Sequence, residues 1–171
     1  MAEERGTAPV WVHYRQFYVI DPDLGTDEVP DIADIANGLV AAETDGVSLL
    51  TGLDTGPVAV SVAVHPAEPH ADDSAWEEVV EVSFTSTTGT ALVASWEDGE
   101  TEDLPNLAST GPGTYRLRVH ARGRDAGRDQ DSLPPDADPV EHYLLQAWPA
   151  PPAPEKALLH SDRVGAEWRE T

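Results

Sequence analysis

Apolar residues recur at every second position along much of the chain. Val58, Val60, Val62 and Val64 alternate with Ala59, Ser61 and Ala63. Val80, Val82 and Phe84 alternate with Glu81, Ser83 and Thr85, and Tyr115, Leu117, Val119 and Ala121 alternate with Arg116, Arg118, His120 and Arg122. Successive side chains of a strand point to opposite faces, so this spacing predicts strands with one buried face. Val10 to Ile20, Val47 to Leu53, Ala91 to Trp96 and Glu141 to Trp148 read as further strands. Turn signals separate them: Asp45-Gly46, Thr55-Gly56-Pro57, Thr88-Gly89 and Gly111-Pro112-Gly113. Phe84 to Leu92 reads as a hairpin around Thr87, Thr88 and Gly89. The expected fold is all-β, an antiparallel β-sandwich of about seven strands.

One short helix is expected between the first and second strands. Pro30 suits a first helical position, Asp31 and Asp34 suit the positive end of the helix dipole, and Ile32, Ile35, Leu39 and Val40 form one stripe. Residues 66–74, 97–112 and 123–139 read as loops, the last of them Asp/Pro-rich. Residues 1–149 are expected to form a single β-sandwich domain. Residues 150–171 comprise a Pro-rich spacer, which favours extended polyproline geometry, and a C-terminal tail that docks back or stays loose. There are no internal repeats.

The chain is strongly acidic. Thirty-two Asp and Glu against ten Lys and Arg give a net −22. Residues 1–115 carry 22 of the acids and only two bases, Arg5 and Arg15. Such a field repels nucleic acid and anionic membranes and attracts basic proteins. The plainer reading is solubility. High net charge also favours disorder, but the strand periodicity supplies the apolar face that a disordered chain lacks. The absence of cysteine excludes disulfides, thiolate metal sites and cysteine nucleophiles. The N-terminus lacks a basic segment followed by an apolar run, and no apolar stretch approaches the ~20 residues of a spanning helix, so a cytoplasmic location is expected.

Few residues are arranged as catalytic chemistry needs. No Gly-x-Ser-x-Gly turn occurs. His120 and His142 fall on neighbouring strands, where a solvated histidine is the simpler reading. His65, Glu68 and His70 have wider spacing than zinc sites use. Asp21, Asp23, Asp27 and Glu28 have a calcium-loop flavour, but Gly25 replaces an oxygen ligand and no Glu closes the loop. The chain reads as a binding protein without enzymatic activity or cofactor.

Two acidic groups are the candidate partner-binding residues. The first is Asp72, Asp73, Glu77 and Glu78 around Trp76. The second is Glu97, Asp98, Glu100, Glu102 and Asp103 after Trp96. If residues 98–102 are extended, Asp98, Glu100 and Glu102 point to one side at ~6.6–6.8 Å intervals. That is close to two rises of one DNA strand, so a carboxylate row of this kind fits a groove built for phosphates. A tryptophan beside acids is a good interface anchor. A solvated loop accounts for the same residues equally well.

The order of segments resembles the competence protein J family, inhibitors of the DNA-entry nuclease of competent bacteria. The residues that carry the resemblance are His13-Tyr14-Arg15-Gln16-Phe17-Tyr18-Val19, Asn37-Gly38-Leu39-Val40-Ala41-Ala42 with Asp45-Gly46-Val47-Ser48, and the Trp76 to Ala94 segment, which matches a hairpin there. Leu104-Pro105 with Gly113-Thr114-Tyr115-Arg116-Leu117, and Glu141-His142-Tyr143-Leu144-Leu145, complete it. They run colinearly over about residues 12–148. The chain departs from the family pattern at residues 105–111, in its longer 123–139 loop and in its Pro-rich tail. The resemblance implies an acidic inhibitor that occupies a nuclease; the charge adds that the partner is a basic protein, with no direct contact to nucleic acid. A calcium- or carbohydrate-binding β-sandwich, motivated by the 21–28 loop and five tryptophans, and an immunity protein against a nuclease toxin are the alternatives.

Overall fold

The computed structural model describes residues 3–96, 99–101 and 103–170. Within them the chain forms eleven strands in two sheets. The six-stranded sheet runs β1 (Glu4–Val12), β5 (Gly56–Val64), β10 (His142–Pro149), β9 (Gly113–Arg122), β6 (Glu78–Ser86) and β11 (Lys156–His160). The five-stranded sheet runs β3 (Val40–Glu43), β4 (Gly46–Leu50), β2 (Gln16–Ile20), β7 (Leu92–Ser95) and β8 (Gly99–Glu100). Every pairing is antiparallel except β5 with β10, which is parallel. The β-dominated expectation holds, while the strand number and the wholly antiparallel sheet are corrected.

Both sheets feed one core. Val58, Val60 and Val62 of β5, Leu117 and Val119 of β9, and Tyr143 and Leu145 of β10 pack with Phe17 and Val19 of β2, Val47 and Leu49 of β4 and Val93 of β7. These are the inward positions of the period-two pattern. Each such side chain contributes about 1.5–3 kcal/mol by leaving water.

Several local expectations fail for identifiable reasons. Val10 to Ile20 is two strands, because Tyr14 and Arg15 both adopt left-handed backbone (φ 55° and 64°) and reverse the chain. No glycine announces that turn. The helix at Pro30 is a single 3-10 turn, Ile32–Asp34, capped by the Asp31 carboxylate, which accepts from the Ala33 amide. Gly38 (φ 81°) then ends the stripe before Val40 enters β3. Phe84 to Leu92 is no hairpin. β6 and β7 belong to different sheets, and the turn at Thr87–Gly89 carries the chain from one to the other. The 123–139 loop opens with α1 (Arg124–Gln130).

The C-terminal segment docks back. β11 pairs with β6, and α2 (Arg163–Arg169) packs so closely that a Cβ on Gly38 would lie 2.7 Å from the Gly165 carbonyl oxygen. Beneath it lies a buried ionic cluster. The Arg124 side chain is fully buried between Asp162 and Glu78 and also donates to the Gly38 and Leu50 carbonyls. Burial opposes its charge, but the Asp162 hydrogen bonds and the surrounding negative charges outweigh that and raise its pKa.

Candidate partner-binding surface

The outer face of the six-stranded sheet is polar and largely covered. Glu81 accepts from Arg116 Nε at 3.2 Å and from Arg118 Nε at 2.9 Å. Burial pulls the Glu81 carboxyl up, yet these two arginines win and hold it below its usual range. Arg116 donates to the Ala153 and Pro154 carbonyls of the Pro-rich spacer, and Arg118 to the Pro69 carbonyl. The basic cluster of β9 is therefore partly consumed as internal counter-charge and presents no open cationic stripe.

His120 is buried on this face, which corrects the solvated reading. A carbonyl only accepts, so its Nδ1 must carry the proton given to the Leu144 carbonyl at 3.0 Å. Burial, aided by the Arg118 charge, lowers its pKa and keeps the ring neutral. The Trp76 ring packs on His120 (centroids 5.3 Å apart), and the Arg122 guanidinium lies 5.2 Å from the Trp76 centroid. Trp76 is half-buried and pins the 66–76 segment over the sheet.

The first acidic group divides accordingly. Asp72 and Asp73 are exposed, and Asp72 accepts from the Ser74 amide and hydroxyl. Those bonds lower its pKa and keep it ionised. Glu77 is half-buried and accepts from the Gly123 amide at 2.7 Å. Glu78 is wholly buried. It binds Arg169 Nη1 at 2.9 Å and the Asp162 amide at 3.1 Å, and accepts from the Ser161 amide. Glu78 is therefore withdrawn from the contact surface: its alternation with Val80 and Val82 points it inward, where an acid needs partners.

In the second group, Glu97, Asp98 and Glu102 lie outside the described residues. Glu100 is exposed on β8, in register with Ala94 of β7, and Asp103 is exposed beyond it. Trp96 is 54% exposed. Gly6 of β1 approaches a residue of each group. A Cβ there would lie 2.8 Å from the Asp103 carbonyl oxygen, while Gly6 also borders a shallow cleft shared with Trp76.

The remaining sites do not assemble. His65 is buried, with Nδ1 2.9 Å from Glu3 and Nε2 3.4 Å from the Gln146 amide, while Glu68 and His70 are exposed. Asp21 accepts from the Asp23 amide and the Thr88 hydroxyl, which makes it a turn residue. No group of three or more metal-ligating side chains converges among the described residues. Nor is any helix among them long and apolar enough to cross a membrane.

Sequence reasoning missed the outer face of the five-stranded sheet. Tyr14, Gln16 and Tyr18 line a groove there with Trp96 and residues 29–32. The outward parity of Gln16 and Tyr18 in β2 is the only sequence signal for it.

No family model and no curated protein matches the chain. Among solved structures, the fold is similar to that of ComJ from Bacillus subtilis, inhibitor of the DNA degrading activity of NucA. The two share 20% identity with a TM-score of 0.59, over 88% of this chain and 100% of that one. It is also similar to the product of crocagin biosynthetic gene J, at 17% identity and a TM-score of 0.55 over the same shares. At these identities the likeness concerns the fold, and the resemblance to the competence protein J family holds in three dimensions.

Proposed function

We propose that this protein binds and blocks a nuclease, with exposed carboxylates taking positions that DNA phosphates occupy on the enzyme. The observation that carries the reading is a set of exposed carboxylates, Asp72, Asp73, Glu100 and Asp103, on a fold shared with a nuclease inhibitor. The arginines of β9 that would offset it are partly spent internally on Glu81 and backbone carbonyls. A field of one sign steers a basic groove toward this surface and repels nucleic acid itself. Trp96 supplies the rigid apolar contact that an otherwise charged interface needs. The protein acts by occupancy and performs no chemistry. It works without a cofactor, in the compartment that holds the nuclease, which we take to be the cytoplasm.

The test is degradation of a labelled DNA duplex by NucA, and by an extract of the source cells, as the purified protein is titrated in. Inhibition that saturates at a fixed stoichiometry is expected from one of the two. Undiminished degradation by both would overturn the proposal.

A further inference from the structure

The groove on the outer face of the five-stranded sheet, about 390 Å³ in volume, brings together features found nowhere else on the described surface. Two of the three large exposed hydrophobic residues of the described chain, Tyr14 (63% exposed) and Trp96 (54%), stand at it. Tyr18 lies between them in β2. It is 3% exposed, yet its hydroxyl makes no hydrogen bond to any described residue and faces the open groove. Burial raises its pKa to about 12, so it stays a neutral donor and acceptor. The oxygen is not among the buried side-chain atoms left without a partner, so it is open to exchange its hydration for a ligand. Asp31 forms part of the wall, and only its Oδ1 is engaged, by the Ala33 amide. Val29, Pro30 and Ile32 complete an apolar side.

Tyr14 is held in place at a cost. It and Arg15 both sit in left-handed backbone, where asparagine and glycine are at ease and a tyrosine is strained. The turn is tied down by the Arg15 amide donating to the Asp54 carbonyl (3.1 Å) and the Thr51 amide to the Arg15 carbonyl (2.9 Å).

We infer that this groove is a guanidinium site, receiving one arginine side chain of the basic protein partner. The aromatic faces of Trp96 and Tyr14 stack with a planar cation, Asp31 supplies the counter-charge, and the Tyr18 hydroxyl accepts an N–H. A guanidinium is planar, weakly hydrated and rich in donors, and it matches this set where a compact ammonium does not. The net charge of −22 favours a cationic occupant over an anionic or neutral one. The inference rests on the proposed function and adds the residue class the nuclease must present.

The test is an NMR titration of the isotope-labelled protein with acetyl-Gly-Arg-Gly-amide and with the same peptide carrying uncharged, nearly isosteric citrulline. The Trp96 indole and Gln16 amide signals are expected to move saturably with the arginine peptide, and to respond roughly tenfold more weakly to the citrulline peptide. Asp31→Asn should bring a similar weakening while leaving the fold intact, because Asn retains the cap on the Ala33 amide. No movement of those signals, or equal responses to both peptides, would overturn the inference. Nuclease inhibition by Trp96→Ala and Asp31→Asn is measured in parallel. If the parent inhibits and both variants inhibit as well as it does, the groove assignment fails and the nuclease reading stands. If the peptide binds as expected but the parent inhibits no nuclease, the guanidinium site stands and the nuclease reading fails.

Discussion

Arg124 and Asp162 form a bidentate ion pair with no solvent exposure on either side chain: Nε to Oδ2 is 2.7 Å and Nη2 to Oδ1 is 2.9 Å. They lie 38 residues apart, so the pair fastens the C-terminal segment to α1. Glu78 completes the cluster from β6, 3.7 Å from Arg124 Nη2. Removing one partner leaves an uncompensated charge in the interior. Asp162→Ala is therefore expected to lose about 3–5 kcal/mol of stability in urea denaturation. Amides of β11 and α2 should exchange with solvent before those of β9. A loss below about 1 kcal/mol, the range of an exposed pair, would show that the cluster does not hold the tail.

Glu141 sets a pH dependence of its own. It is fully buried and accepts from the Tyr143 hydroxyl at 2.5 Å, the Gly52 amide at 3.3 Å and the Leu53 amide. Burial outweighs these bonds and raises its pKa from 4.5 to about 7. Its contribution to stability is whole below the unfolded value and is lost as pH rises to the folded one, because over that window only the unfolded chain gives up the proton. The loss amounts to about 3 kcal/mol by pH 7. Glu81 and Asp125 have lowered pKa values and act oppositely, losing their contribution as pH falls. The melting temperature should peak in mildly acidic solution and decline toward pH 7. Glu141→Gln should flatten the decline, and an unchanged slope would contradict the assignment.

The strained turn predicts a trade between stability and binding. Replacing Tyr14-Arg15 by Asn-Gly relieves two left-handed residues in a two-residue reversal closed by the His13–Gln16 bridge, and should stabilise by about 1 kcal/mol or more. The gain is offset slightly by losing the half-exposed Arg15–Asp54 pair (3.6 Å). The same change should weaken partner binding by removing the Tyr14 ring. A variant that is less stable than the parent would show that other contacts of the turn outweigh the strain.

Strand alternation carried most of the fold. Val58 to Val64, Val80 to Phe84 and Tyr115 to Ala121 are strands because period two is local information, written in each segment. What failed depends on distance. Thr88-Gly89 marks a reversal truly, yet nothing local says whether the next strand pairs with the previous one or crosses to the other sheet. The Lys156–His160 strand was illegible because its alternation is short and its partner β6 lies far away in sequence. Acid and tryptophan composition located Asp72, Asp73, Glu100, Asp103 and Trp96 on the surface, but composition cannot separate exposed Asp72 from buried Glu78. That distinction is set by Arg169 and the Asp162 and Ser161 amides, which reach Glu78 from the far end of the chain.

Guidance of this protein into a basic nuclease groove by its exposed carboxylates is read from the association rate with the inhibited nuclease across a salt series, for the parent and for the combined variant Asp72→Asn, Asp73→Asn, Glu100→Gln, Asp103→Asn. All four side chains are exposed, so the variant should melt with the parent. The parent's association should slow steeply as salt screens the field, while its dissociation changes little. The variant should associate more slowly at low salt, depend less on salt and inhibit more weakly. Association that ignores salt, with a variant that inhibits as well as the parent, would contradict the claim and leave these carboxylates as solubilising charge.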